Sequence, residues 1–478
     1  MTLRMPLQST QSPVPPSPSV LEPVQLQSDG RFLTRAQCEE LSKRVIGFAT
    51  GGGVIELRID TSWMGNVRWG LNQVTSSGDS RDTLVYVQRN IRGASTAVVL
   101  NEIDDASLRS AVQRAERLLR VGREYFENGQ TSYPAETYLQ PKLWSEASYN
   151  LSAQDRAAAM RTAVKLAENA QVQSAGYVQV IAGGQAVIDN RGRSLYYPVT
   201  QAQFSVTVRD AALKGSGWAG MDHHDWTRID VPKLAAIAVD KCVRSRNPGL
   251  IEPGRYTTIL EPQAVSDFFS VVMGSAMDRN IAESPQRFGP FSKGNGISRI
   301  GEKIFDERIT VTADPMDPDL GYVPFDQSGA AYRAATWFEN GVLSNLAHDR
   351  RYAIQKLGSD TGLLNNGSFR IHGGPTSMDE MIATTRRGVL VTRFSDVGML
   401  DFNSLLATGY TRDGLWLIEN GRVSRPVRNF RFSESPLFAF ANVDQIGPAV
   451  RVFRPEVPAV APIMKIRDFS FVGIADAV

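Results

Sequence analysis

Two Asn-Gly dipeptides place the tightest constraint on how this 478-residue chain folds. Asn340-Gly341 lies within YRAATWFENGVLSNLAH and Asn420-Gly421 within GLWLIENGRVSRPV, each between runs that alternate apolar and polar residues. A two-residue type I′ turn needs positive φ at both central positions, which Asn and Gly tolerate best. Both segments are therefore predicted hairpins. From about Tyr256 the pattern is short apolar runs broken by glycines. That predicts a β-rich C-terminal domain, with helices at Tyr352–Leu357 and Ser377–Arg386.

The preceding half mixes both periodicities. Thr34 and Gln37 have capping-box spacing and open a helix whose apolar row is Cys38, Leu41, Val45 and Phe48. Gly51 to Gly53 follow, then the strand candidate VIELRI. A phosphate loop follows a strand and opens a helix, whereas this triplet does the reverse, so it predicts no phosphate site. TLVYVQR and STAVVL read as strands, and Asp104 or Asp105 caps a helix with Leu108, Val112, Ala115 and Leu119 on one face. Ser152 caps another, with Met160, Ala163, Ala167 and Ala170 in its row. GYVQVIAGGQAVIDNRGRSLYYPVTQAQFSVTVRD reads as three or four antiparallel strands joined by Gly-Gly and Asn-Arg-Gly turns. Asp230 and Pro232 start the helix carrying Leu234, Ile237, Ala238 and Cys242.

The expected fold class is α+β: an N-terminal α/β segment (29–129), a middle antiparallel layer (130–250) and a larger β-rich C-terminal domain (251–478). Residues 1–28 are rich in Pro, Ser and Gln and predict a disordered tail. With 52 basic and 50 acidic side chains, the net charge of +2 argues against a dedicated nucleic-acid binder, which would show a basic face or stripe. No apolar run approaches the ~18 residues that span a bilayer, and no apolar stretch follows the early arginine, so the cytoplasm is the expected location. Cys38 and Cys242, the only cysteines, sit on apolar helix rows and read as core residues.

The four histidines are His223, His224, His348 and His372. Asp222-His223-His224-Asp225 alone clusters metal-ligand types. Adjacent histidines point apart on a strand and diverge by roughly 100° on a helix, and GSGWAGMDHHDW reads as a surface loop. His348 reads as a polar strand end and His372 as loop. Asp314, Asp317 and Asp319 in DPMDPD lack the glycine and terminal glutamate of an EF-hand and read as a turn cluster.

The segment ITVTADPMDPDLGYVPFDQSGAAYRAATWFENGVLSNLAHDRRYAIQKLGSDTG, together with GVLVTRF and GYTRDGLWLIENGRVSRPVRNFRFSES downstream, resembles the TldD/PmbA family, metallopeptidases once labelled modulators of DNA gyrase. The similarity runs from about Phe32 to Val452, with Gly329 expected to start the first hairpin. In catalytic members a helix carries His-Glu-x-x-x-His, two imidazoles holding a metal and the glutamate acting as general base; a late cysteine adds a ligand. The corresponding residues here, roughly Ser266 to Met273, contain no histidine and no glutamate, and no cysteine lies beyond Cys242. Metal hydrolysis needs such ligands and a base.

The resemblance therefore implies a PmbA-like, non-catalytic branch. No catalytic or metal-ligating residue is assigned on this chain, and its substrate-binding residues are unknown. The implied role is a subunit of a peptidase complex processing unfolded peptides. Its partner is a TldD-like paralogue bearing His-Glu-x-x-x-His and the zinc; no cofactor, nucleic acid or membrane is expected here. Two alternatives are an active hydrolase with a metal relocated to His223 and His224, and a homodimeric peptide-binding scaffold. Deleting residues 1–28 is expected to leave the thermal unfolding midpoint within a few degrees of the full chain, since such a segment has little apolar surface to dock.

Overall fold

The computed structural model describes residues 29–91, 94–121, 136–286 and 288–475. The expected tail at 1–28 and the boundary at 129/130 both lie outside the described residues.

The N-terminal elements are α1 (Arg35–Phe48), β1 (Val54–Gly70), β2 (Gln73–Ile91), β3 (Ala94–Leu100) and α2 (Asp105–Val121). The Thr34–Gln37 capping box forms at α1, and the Asp104 carboxylate accepts from the amides of Ala106 and Ser107 at the start of α2. Next come α3 (Glu146–Tyr149), α4 (Ala153–Asn169), β4 (Gln173–Asp189), β5 (Ser194–Asp210), β6 (Gly215–His223) and α5 (Val231–Arg244). Ser152 and Asp155 close a capping box on α4, and Asp230 caps α5.

These strands form one six-stranded antiparallel sheet in the order β3-β2-β1-β4-β5-β6. The N-terminal and middle segments thus contribute three strands each to a single layer. One face is apolar and covered by helices. Leu57, Ile59, Val85 and Val87 pack with Cys38 of α1 and Leu108 of α2, while Val178, Phe204 and Val206 pack with Ala163 of α4 and Ala238 and Cys242 of α5. Ile237, expected in the apolar row of α5, is instead exposed, and Ala235 takes its place inside.

The Gly-Gly expectation is corrected. Gly183 and Gly184 lie inside β4, paired across to Ser62 and Thr61 of β1. A Cβ at Gly183 would collide with the Thr61 carbonyl oxygen, and one at Gly184 with the Tyr196 ring. The pair serves close approach of neighbours, so the region has two long strands rather than three or four short ones. Only Asn190-Arg191-Gly192 turns the chain, between β4 and β5.

In the C-terminal domain β7 (Gly254–Leu260) runs parallel to Arg387–Asp401 and antiparallel to Ala459–Ile474. The Arg387–Asp401, Leu406–Glu419, Phe430–Glu434 and Ala459–Ile474 strands pair in succession, so with β7 they close a ring. Several are long, beyond the short strands expected. α6 (Pro262–Phe269) follows β7 directly and plugs the ring. The Phe268 ring lies 5.4 to 6.0 Å from those of Phe394, Phe432, Phe440 and Phe469.

Both Asn-Gly turns form as expected. Asn340 and Gly341 have φ of 49° and 79°, Asn420 and Gly421 of 51° and 76°. The first joins Ala335–Glu339 to Val342–Leu343. Gly329 does not start that hairpin; it turns the chain between Phe325 and Ala331, which form an isolated bridge.

Gly341 also lies against the 304–309 segment, its amide donating to the Ile309 carbonyl (2.8 Å) and its own carbonyl accepting from Ile304 and Phe305. A Cβ there would press into the carbonyl oxygens of Phe305 and Asp306. Gly341→Val is therefore expected to destabilise the C-terminal domain by at least the roughly 1–3 kcal/mol of a strained positive φ. An unaltered denaturation midpoint would contradict this.

Candidate functional site

The first candidate is α6, where the family resemblance places a metal motif. The helix ends at Phe269, before the expected limit at Met273. Ala264, Val265, Phe268, Phe269, Val272 and Met273 are all buried in the aromatic core. The segment holds one carboxylate that a search for histidine and glutamate passes over, Asp267. Its oxygens accept from Gln263 Nε2 (2.8 Å) and from the Phe394 amide (3.0 Å), and Gln263 Oε1 accepts in turn from the Phe453 amide (3.0 Å). Burial pushes the carboxyl up to about 6, against the lowering by those hydrogen bonds and by Arg393 and Arg454. These residues do not fit a zinc ion: the segment supplies no imidazole or thiolate, and its one carboxylate is already bonded. Among the described residues no three His, Cys, Asp or Glu side chains converge to hold a metal.

The histidine pair differs from expectation in two ways. GSGWAGMDH is strand β6, with Asp222 and His223 buried, rather than a surface loop. The rings of His223 and His224 also come together, 4.1 Å between centroids at 32°, because the chain bends as β6 ends. His223 Nδ1 accepts from the Asp225 amide (3.0 Å), while Ser148 Oγ and Thr200 Oγ1 donate to the His224 carbonyl. Burial, the neighbouring His224 and then Arg451 push His223 down to about 4, and burial also lowers His224. Asp222 is engaged elsewhere, bonded to the Arg451 guanidinium (2.6 Å) and the Arg454 amide (2.6 Å).

The remaining sequence candidates are structural. His348 Nδ1 lies 3.0 Å from the Leu346 carbonyl and His372 Nε2 3.1 Å from Thr312 Oγ1. Asp317 takes a two-pronged ion pair from Arg370, which also reaches Asp319, and the Asp317 amide donates to Asp314, as a turn cluster should. Cys38 and Cys242 are fully buried, and burial pushes their thiols up to about 12 and about 11.

A site that sequence reasoning missed lies on the other face of the six-stranded sheet. Alternation sends Arg58, Asp60, Ser62 and Met64 of β1 to this side, with Gln185, Ile181 and Gln179 of β4 and Gln201 and Gln203 of β5 beside them. These side chains are half-buried, in contrast to the sealed face beneath the helices. Gln203 Nε2 donates to Gln179 Oε1 (2.5 Å), and Gln179 Nε2 lies 2.9 Å from the Tyr177 hydroxyl.

At one end the 322–332 loop closes over this polar face. Tyr138 donates to the Gly329 carbonyl (2.8 Å) and Arg193 to the Ser328 carbonyl (2.9 Å), while Phe325 and Ala331 pack on Val187 and Leu195. A cavity of about 320 Å³ remains beneath, lined by Arg58, Asp60, Gln185, Tyr322, Tyr332 and Glu456 among others. It neighbours α6 and the segment just after it at two places along the chain. Asn366, also in its lining, follows Asn365, which donates to the Met273 carbonyl (2.9 Å), and Glu456 lies just beyond Phe453. The alternation of polar residues in β1 and β4 was the available signal, but only the fold shows which face stays uncovered.

Residues 253–473 match the PmbA/TldA metallopeptidase C-terminal domain. A metalloprotease of Methanothermobacter thermautotrophicus is 25% identical over 238 residues, covering 47% of this chain and 50% of that protein. A metalloprotease of Archaeoglobus fulgidus is 30% identical over 158 residues, 30% of this chain and 36% of that protein. The chain thus spans half or less of the length of these curated relatives. The crystal structure of TldE from Thermococcus kodakarensis shares the fold, with a TM-score of 0.77 at 16% identity over 91% of this chain and 100% of that one. A Thermotoga maritima protein described as a candidate modulator of a DNA gyrase shares it as well, with a TM-score of 0.77 at 17% identity and the same coverage.

Two buried groups give opposite pH responses. His223 falls from 6.5 to about 4 on folding, so its contribution is present above pH 6.5 and is lost as pH falls toward 4. Asp267 rises from 3.8 to about 6, so its contribution is present below pH 3.8 and is lost as pH rises through 6. His223→Gln is expected to flatten the loss of thermal stability between pH 6.5 and 4. Asp267→Asn is expected to gain on the parent as pH rises from 4 to 7. Thermal midpoints across that range that parallel the parent would refute both assignments.

Proposed function

We propose, for a chain that belongs to the TldD/PmbA family through its C-terminal domain, a role as the non-catalytic, peptide-binding subunit of a TldD/PmbA-type metallopeptidase complex. The observation that carries this reading is α6. Its side chains are committed to the aromatic plug, and its lone carboxylate is held by Gln263 and the Phe394 amide. A chain that keeps this architecture without metal ligands retains the means to bind and enclose a substrate. The partner is then a paralogue carrying His-Glu-x-x-x-His and the zinc.

The polar face of the sheet suits the task left to such a subunit. An extended peptide crossing β1, β4 and β5 meets side-chain amides of Gln179, Gln201 and Gln203. Their carbonyls and NH₂ groups satisfy main-chain donors and acceptors without reading sequence. That is the tolerance required for processing unfolded peptides. No helix among the described residues is long and apolar enough to cross a membrane; the reading has the complex acting in the cytoplasm.

The purified chain is expected to bind no stoichiometric zinc and to cleave no casein-derived peptide alone. Co-expression with the His-Glu-x-x-x-His paralogue is expected to yield a stable complex whose peptide cleavage requires both chains. Cleavage by the paralogue alone at the full rate would sink the subunit reading and leave a homodimeric binding scaffold. Zinc at one per chain, with chelator-sensitive cleavage, would sink the non-catalytic assignment.

A further inference from the structure

The cavity beneath the 322–332 loop has a chemical bias that the glutamine-lined face beside it lacks. Asp60, Asp326 and Glu456 line it together with a single guanidinium, that of Arg58. Arg58 is already occupied: it is ion-paired to Asp60 Oδ2 and lies 4.3 Å over the Tyr86 ring. The other oxygen, Asp60 Oδ1, is buried and receives no hydrogen bond among the described residues.

The walls add to the bias. Tyr322 and Tyr332 pack edge to face, 5.3 Å between centroids at 87°, so the cavity meets aromatic surface as well as carboxylates. Aromatic faces attract ammonium and guanidinium groups, more strongly when both are withdrawn from water. The Asp326 carboxylate is fixed in place because its Oδ1 accepts from the amides of Ser328 and Ala330 and from the Ser328 hydroxyl. The volume, about 320 Å³, is at the small end for a ligand pocket and suits one long side chain or a chain end. Along β1 the row Asp60, Ser62, Met64 leads from the cavity onto the open polar face.

We infer that this cavity is a cation-selective subsite, taking a lysine or arginine side chain or the free amino terminus of a peptide whose remainder lies across the β1–β4–β5 face. The inference rests on the peptide-binding reading above and gives it a substrate class: peptides bearing a positive charge.

The test is fluorescence anisotropy of the full chain with matched unstructured peptides. They differ at one central position (Lys, Arg, norleucine or Glu), and each is prepared acetylated and with a free amino terminus. Acetylated Lys and Arg peptides are expected to bind roughly tenfold or more tighter than the norleucine peptide, as a charged hydrogen bond would give, with Glu weakest. Added salt should shrink the advantage. An advantage carried by the free terminus alone would support the subsite and assign it to the chain end. Asp60→Asn is expected to bring the Lys-to-norleucine ratio close to one. Glu456→Gln, at an exposed position, is expected to reduce the ratio and keeps the test decisive if the Asp60 variant misfolds. Equal binding of all peptides would overturn the subsite while leaving the peptide-binding reading intact. Binding of none would overturn that reading and the subsite with it.

Discussion

The C-terminal domain depends on the burial of Phe268 inside its ring of strands. α6 has little intrinsic reason to form: it is eight residues long, and Glu261 at its N-cap makes no side-chain capping bond. Helices this short take their stability from packing. Phe268 and Phe269, both fully buried, supply it through contacts with Phe394, Phe432, Phe440, Phe469, Phe305 and Phe369. Truncating such a ring costs about 3–5 kcal/mol, a large fraction of a domain's stability. The same packing engages the side chains at the place where the family resemblance puts metal ligands. Ser266, Phe269 and Met273 face the core rather than a cleft.

The polar sheet face owes its position to a seam of buried charge between the two domains. Asp222 of β6 holds Arg451 and the Arg454 amide, and Asp413 holds Arg393 and the Ser216 hydroxyl, with both aspartates fully buried. The Arg393 guanidinium also lies 4.7 Å over Trp218. Removing one partner from such a pair strands the other charge, typically at about 3–5 kcal/mol. At the opposite end, Arg193 joins Glu56 and Asp189 of the sheet to the Ser328 carbonyl of the loop. The sheet is thus tied at both ends to the C-terminal domain.

What the amino-acid sequence determined by itself was local or compositional. The caps at Thr34, Ser152 and Asp230 and the two Asn-Gly turns act over three or four residues, so the same bonds form wherever the element packs. The burial of Cys38 and Cys242 follows from helical spacing of apolar neighbours. The lack of histidine, glutamate and late cysteine around α6 needs no structure to read, because a ligand type that is absent cannot be supplied by folding. Asp267 shows the limit of that reading: its presence was legible, but its bonding to an amide in a strand far along the chain was not.

Tertiary structure alone decided everything that rests on distant partners. Gly183-Gly184 carries a turn's composition yet lies mid-strand, because β1 and β5 approach too closely there for any side chain. His223 and His224 should diverge by strand geometry, but the chain bends as β6 ends, with Ser148 and Thr200 bonded to the His224 carbonyl, and the rings come together. β7 closes its ring by pairing with strands near the other end of the domain, a register that no local pattern encodes. The candidate cavity joins Asp60, near the start of the described chain, to Tyr322, Tyr332 and Glu456 of the other domain. In β1, Asp60 lies on the face away from the helices, and the docking of the two domains determined what it faces.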